Sequence, residues 1–361
     1  TPDRHRTVLA HRAGVAKIRY LLEQTRATLE LVRTARFVSR TRGKPLAEQV
    51  REIAALRRGP GRLKPFDYYA YELFDDDRYT VEQKREFVSW RWDRLCRLLN
   101  DPAWTAICDD KLVTYALFRG LGLPHPEVQA FFHPGTRTCG PIPAMRTPES
   151  MADFLRHGAR YPLFGKPVRD WRGGGASALV SYDPRHDTLL TAQGEDVPVD
   201  AYVAAFPVAC CSGANLRSER PHGYLFQSRV VQHPLVDRLS GGRVSTLRLI
   251  VLLGADGPRL PRVTWKLPVG RNITDHAIGT SGNVKCSVDP ATGRVERSLR
   301  GPLQGPPGLP GLGAYGSPIE AHPDSGELLT GVVLPHWSRI VAACLEAAAA
   351  LPGVRYQGWD V

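Results

Sequence analysis

Lys166-Pro167-Val168-Arg169-Asp170-Trp171-Arg172-Gly173-Gly174-Gly175 lies between two short apolar runs, Tyr161 to Phe164 and Ala178 to Tyr182. The pattern predicts strand, glycine loop, strand. Without Cβ atoms the loop backbone can bring its N–H groups close to phosphate oxygens, and a lysine on the adjoining strand neutralises their charge. This is not a P-loop, which ends in Gly-Lys-Ser/Thr and opens a helix. A glycine-rich hairpin is also the ordinary chemistry of a tight turn, so the rest of the chain has to decide its meaning.

The chain has 361 residues, enough for two or three packed units. A hydrophobic content of 42% with 23% charged residues is that of a globular protein. No uninterrupted apolar run reaches membrane-spanning length, and the N-terminus carries no apolar signal core. The seven cysteines are scattered without CxxC spacing, which indicates neither a zinc site nor a disulfide framework and makes a reducing cytoplasm the expected location. The net charge is +12, of which residues 1–62 supply +10. The body is therefore nearly neutral and no nucleic-acid partner is expected. The basic N-terminal helices are free to contact an acidic partner. Only 8 of the 48 basic residues are lysines, which makes each lysine at a motif position informative.

Working outward, apolar residues at helical spacing predict one long helix over 7–39 and another over 45–58. The aromatic-rich stretch from Asp67 to Leu99 reads as mostly helical. Ala103 to Leu121 reads as a helix stopped by Gly122 and Pro124. His133 to Pro148 reads as loop, and 161–211 as strand-rich. Leu225 to Val231 and Val244 to Leu253 read as strands, the latter paired with Val263 to Val269. Gly270 to Asn283 reads as a polar loop and Arg300 to Pro318 as a Gly/Pro-rich insertion. Pro335 to Leu351 reads as a helix, and Gly358 to Val361 as a strand entering a core.

The order of these pieces resembles the ATP-grasp superfamily, in its sugar-transfer-associated branch, over about residues 64–361. The carriers are Asp109-Asp110-Lys111 heading a helix that ends GLGLPHP, then FGKPVRDWRGGGASAL, YLFQSRVVQHPLVDRL, VSTLRLIVLL, GTSGNVKCSVDPATGRV, HPDSGELLTGVVLPHW and GWDV. The resemblance implies an α+β fold, two α+β subdomains clamping ATP between antiparallel sheets, behind an N-terminal helical extension. The expected divisions are 1–100 for the basic helical region, 101–160 for a segment before the grasp, 161–232 for the small subdomain with its lid, and 233–361 for the C-terminal subdomain.

By the same resemblance, Lys111 and Lys166 would reach the ATP phosphates. The loop of Arg172, Gly173, Gly174 and Gly175 would close over them. Gln227, Ser228, Arg229 and Val230 would form the hinge that reads adenine, and Asp237 would face the ribose. Arg248 would hold the γ-phosphate or an acyl phosphate, and Asp360 would be a Mg²⁺ ligand. Mg²⁺ takes hard oxygen ligands and bridges phosphates to one or two carboxylates. Family members carry a further strand, with a Glu and an Asn, after the final Asp; this sequence stops at Val361 and is expected to be truncated. Gln227 stands where Glu is common, and its neutral amide can still hydrogen-bond.

The implied activity is an ATP-dependent carboxylate ligase that activates a small-molecule carboxylate as an acyl phosphate for attack by an amine. Phosphoryl transfer to a hydroxyl or sugar, and a non-catalytic ATP-binding scaffold in polysaccharide assembly, are the alternatives. Lys111 is equally placed to sit at a helix start beside Asp109 and Asp110. Lys266, Asn283 and Lys285 lie near the expected substrate end, where ordinary polar contacts are as reasonable. The histidines show no metal-ligand pair, and no nucleophile elbow occurs.

Overall fold

The computed structural model describes residues 28–89, 93–169, 174–211, 222–276, 282–301 and 316–361. The chain divides into two compact units, one of residues 1–93 with 301–317, the other of 94–300 with 318–361.

In the first unit, α1 (28–42 of the described chain) is followed by α2 (Leu46–Arg58), α3 (Pro65–Ala70) and α4 (Val81–Glu86). The expected helix over 7–39 is thus present from residue 28, its earlier part lying outside the described residues. The aromatic stretch after Asp67 is a series of short helices and turns. Its core joins Val38, Leu56, Leu63, Tyr68, Tyr69, Leu73 and Phe74. Beside it, two almost fully buried lysines are neutralised by the same two carboxylates. Lys44 Nζ lies 2.8 Å from Glu52 and 2.5 Å from Asp76, and Lys84 Nζ lies 3.3 Å and 2.5 Å from the same pair. Tyr68 donates its hydroxyl to the other Glu52 oxygen at 2.5 Å. Buried charge is tolerated only when matched in this way.

In the second unit the chain forms α5 (Asp93–Leu99), α6 (Pro102–Asp109) and α7 (Lys111–Gly120). The single helix expected over 103–121 is broken at Asp110. That residue is extended and caps α7, accepting from Leu112 N at 3.1 Å and Val113 N at 3.2 Å. An Asp at N-cap satisfies orphan N–H groups better than it continues a helix.

A seven-stranded sheet follows, made of β1 (Val128–Phe132), β2 (Ala144–Met145), β3 (Leu163–Pro167), β4 (Ser177–Asp183), β5 (Thr188–Thr191), β6 (Asp196–Pro198) and β7 (Tyr224–Ser228). Its order is β2-β1-β7-β3-β4-β5-β6. The segment expected as loop contributes β2, parallel to β1. The expected strand-glycine-strand unit is the β3–β4 hairpin, with Leu163 opposite Leu179. The strand-rich reading fails at its end, because Val199–Cys211 is a helix, α9. Val199 and Val203 at its start pack with Met151, Ala152 and Leu155, from α8 (Pro148–Asp153) and the π turn after it, under one sheet face.

After α10 (Pro234–Leu239) comes a six-stranded sheet of β8 (Thr246–Gly254), β9 (Gly257–Leu267), β10 (Val284–Val288), β11 (Val295–Arg300), β12 (Ser317–Ile319) and β13 (Tyr356–Asp360). The order is β12-β11-β10-β9-β8-β13. Leu247, Leu249, Val251, Val263, Trp265, Val284 and Cys286 turn to a core closed by α11 (Trp337–Ala349) through Trp337, Cys344 and Ala348. Since side chains alternate across a strand, the intervening residues Thr246, Arg248, Lys266, Lys285 and Asp360 share the opposite face. No helix among the described residues is long and apolar enough to cross a membrane.

Candidate active site

The polar face of the six-stranded sheet carries a row of charge. Arg248 and Asp360 are direct cross-strand partners. Arg248 Nε donates to Asp360 Oδ1 at 2.6 Å and Nη2 to Oδ2 at 2.7 Å, a bidentate fork. Lys266 Nζ adds a bond to Asp360 Oδ1 at 3.0 Å and lies 2.5 Å from Asp275 Oδ2. That Asp275 oxygen is buried, and the lysine approaches it without the alignment of a hydrogen bond. Burial acts to raise the Asp360 pKa, but the fork from Arg248 and the Lys266 charge outweigh it, and the group stays below its ordinary value. Lys285 stands opposite Lys266 in the ladder. Burial and the Lys266 charge hold its ammonium below the usual lysine value.

The seven-stranded sheet supplies the facing cations. Lys166 on β3 pairs with Leu225 on β7, so it shares a face with Phe164 and Gln227 of the neighbouring register pair. Burial first, then the charge of Lys111, push the Lys166 pKa down to about 8, while Asp360 pulls it back up. This places Lys111, Lys166 and Asp360 within Coulombic reach of one another. Four of the eight lysines therefore gather around one carboxylate.

Helix α7 ties the two sheets together here. At its start, Lys111 N donates to Val168 O at 3.1 Å, just past the end of β3. One face-length further along, Phe118 stacks on Trp359 of β13, with centroids 5.5 Å apart and planes inclined by 22°. The Asp110 cap that fixes this start is itself held by a second fork, from Arg137 at 2.7 and 2.9 Å. Strand β13 is an edge strand, and Asn100 covers it. The Asn100 amide donates to Tyr356 O at 3.0 Å and accepts from Tyr356 N at 2.8 Å, as a neighbouring strand would.

The sugar-transfer associated ATP-grasp family model matches residues 91–361. The chain belongs to that family. The match begins later than the 64–361 read from the sequence. No curated protein matches. Among solved structures, the L-amino acid ligase from Bacillus licheniformis is similar at 11% identity and a TM-score of 0.29, over 70% of this chain and 49% of that one. The chain spans about half the length of that ligase, and so slight a likeness carries no argument.

In this ATP-grasp chain the far end of the glycine loop is anchored. Tyr224 donates to Gly175 O at 2.9 Å, and its oxygen also lies 2.9 Å from Ser177 Oγ, which meets Tyr202 at 2.6 Å. Gly165 makes room for that tyrosine: a Cβ there would stand 2.5 Å from the ring. Gly174 is in the described turn, whereas Arg172 and Gly173 lie outside the described residues.

The expected hinge residues connect the sheets, and their side chains have mixed duties. Gln227 is buried beside Val128 and Phe164. Ser228 Oγ bonds the Gln129 amide at 3.0 Å and Glu127 at 3.2 Å. Arg229 Nη2 reaches Gly242 O at 3.2 Å, and Val230 is exposed. Asp237, on α10, takes a long bond of 3.3 Å from Gln232 and is not brought into the charged row by any contact. Asp275 was missed by the sequence reading, where it was one polar residue in a loop. Its only sequence signal was a carboxylate in the segment that follows Lys266.

Among the described residues no group of three or more His, Cys, Asp or Glu could hold a metal by itself. A magnesium–nucleotide complex needs only one or two carboxylates. Asp360 and the under-satisfied Asp275 oxygen fit that donor set.

Proposed function

We propose that this ATP-grasp chain is an ATP-dependent carboxylate–amine ligase working through an acyl phosphate. The observation that carries the reading is the convergence of Lys111, Lys166, Lys266 and Arg248 on Asp360. Phosphoryl transfer is mostly positioning and charge neutralisation, and this row supplies fixed positive charge on two facing sheets. Lys166 and Lys111 would hold the phosphates from the seven-stranded sheet. Arg248, released from Asp360, would present its fork to the transferred phosphoryl group. Asp360, with Asp275, would hold Mg²⁺, whose charge screens the phosphates from the carboxylate nucleophile.

In the first step a substrate carboxylate oxygen bonds to the γ-phosphorus as the bond to ADP breaks. An amine nitrogen then bonds to the acyl carbon, phosphate departs with the C–O electron pair, and the nitrogen loses a proton. No side-chain nucleophile is needed. The lid pinned by Tyr224 would exclude water from the acyl phosphate.

The test is calorimetric titration of ATP with and without Mg²⁺, on this chain and on Lys166→Ala, followed by ADP release with carboxylate and amine panels. Metal-enhanced, Lys166-dependent binding with amine-dependent ADP release supports the ligase. Hydroxyl phosphorylation without amide formation replaces it with a kinase. No ATP binding by a folded chain removes the enzyme reading.

A further inference from the structure

The N-terminal unit holds a second concentration of positive charge, of a different kind. A pocket of about 280 Å³ is lined by Arg57, Arg62, Lys64 and Pro65. All three cations are exposed, and among the described residues none is paired with a carboxylate. The contrast lies within the same unit, where Lys44 and Lys84 are neutralised by Glu52 and Asp76. The nearest acidic residue in sequence, Asp67, is turned inward. It is fully buried and accepts from the Lys64 backbone N–H at 2.8 Å.

The loop that carries the pocket is built. Gly61 lies so close to Phe87 that a Cβ would overlap its carbonyl oxygen, and Ser89 N donates to Gly61 O at 3.0 Å. Arg62 N is tied to Gly59 O at 3.2 Å, and Leu63 is buried in the core. Arg62 has φ of 51°, a left-handed conformation that arginine adopts only when its surroundings impose it. With Gly61 and Leu63 held inward, Arg62 and Lys64 are displayed outward, beside Arg57 from the last turn of α2.

We propose that this pocket binds a phosphate monoester group, independently of the ATP-grasp site. Two arginine forks and an ammonium around one concavity match a compact oxyanion that accepts several charge-assisted hydrogen bonds. The group has two sources, a soluble phosphate ester or a phosphatidic-acid headgroup at a membrane surface.

The experiment uses the full chain carrying Lys166→Ala, to lower phosphate binding at the other site. Inorganic phosphate is titrated by calorimetry, and vesicles of phosphatidylcholine with or without phosphatidic acid are tested by flotation. Arg62→Asn, which tolerates the left-handed backbone, and Lys64→Gln are each expected to weaken phosphate binding about tenfold. Arg58→Gln, a neighbouring cation outside the pocket, is expected to leave it unchanged. Flotation only with phosphatidic acid, lost in the same variants, assigns the lipid source; phosphate binding without flotation assigns the soluble one. Absence of both, or equal weakening by Arg58→Gln, overturns the proposal. Circular dichroism of each variant separates loss of the site from loss of the fold.

Discussion

Arg248 and Asp360 are cross-strand neighbours on β8 and β13, and the arginine grips the carboxylate with two parallel hydrogen bonds of 2.6 and 2.7 Å. Both groups are needed by a nucleotide, one for phosphate and the other for metal. In this state they satisfy each other, so binding has to exchange one partner for another. The pair is partly exposed, and its own contribution to stability is correspondingly modest. Its value is in holding two reactive groups at fixed positions.

The exchange makes a prediction for Asp360→Asn. Removing the carboxylate frees Arg248 and Lys266 for phosphate, so ATP without metal should bind more tightly than to the parent chain. Metal enhancement of binding should vanish, and turnover should fall by about a hundredfold or more. Calorimetry and ADP release measure the three together. Retained metal enhancement would remove Asp360 from the metal role.

Lys166 predicts a pH dependence. Its pKa is pushed down to about 8 in the folded chain from the ordinary 10.5. Between these values the unfolded chain holds a proton that the folded one lacks, so stability of the nucleotide-free chain rises with pH over that window. ATP affinity should move the other way, falling as pH climbs through about 8. Lys166→Arg should flatten the affinity profile, because guanidinium stays charged. A parent profile flat from pH 7 to 10 would contradict this assignment.

Gly165→Ala should destabilise the second unit, since the new methyl meets the Tyr224 ring and hydroxyl and Ser177 Oγ. Overpacking of this kind costs about 1–3 kcal/mol. Tyr224→Phe keeps the ring but drops the bond to Gly175 O. It should leave melting nearly unchanged while weakening ATP binding several-fold. Equal effects of Tyr224→Phe on melting and on binding would mean that the tyrosine serves the fold alone.

The N-terminal unit should be acid-sensitive. Burial tends to raise the Asp76 pKa, but bonds from Lys44 and Lys84 lower it below its usual 3.8. Stability from that depressed carboxylate is present above about pH 4 and is lost as pH falls through the folded value. Asp76→Asn should therefore lower the melting temperature at pH 7 and shrink the difference between pH 7 and pH 3. An Asp76→Asn variant with the parent's acid sensitivity would place its origin elsewhere.

Much of the second unit was legible in the sequence because local rules and tertiary structure agree there. The alternation from Thr246 to Leu253 gives β8 one apolar and one polar face, and the interrupting Arg248 was already conspicuous. The glycines after Lys166 announced a hairpin. Legibility failed where a local signal had two readings. Asp110 in a helical run reads as helix interior until its carboxylate is seen capping α7 and gripping Arg137. The apolar run Val199–Cys211 suits a strand or a buried helix equally, and packing against α8 decides for the helix.

By itself the sequence determined the order of the ATP-grasp motifs, the scarcity of lysine, and the candidacy of Lys111, Lys166, Arg248 and Asp360. Those are properties of composition and periodicity, which act over a few residues. Only the tertiary structure decided which charges meet. Residues 111, 166, 266 and 360 are brought within mutual reach by strand register and by α7 bridging β3 to β13. A carboxylate's pKa, a lysine's burial and the pairing of Lys266 with Asp275 depend on those long-range contacts, for which no local pattern carries the information.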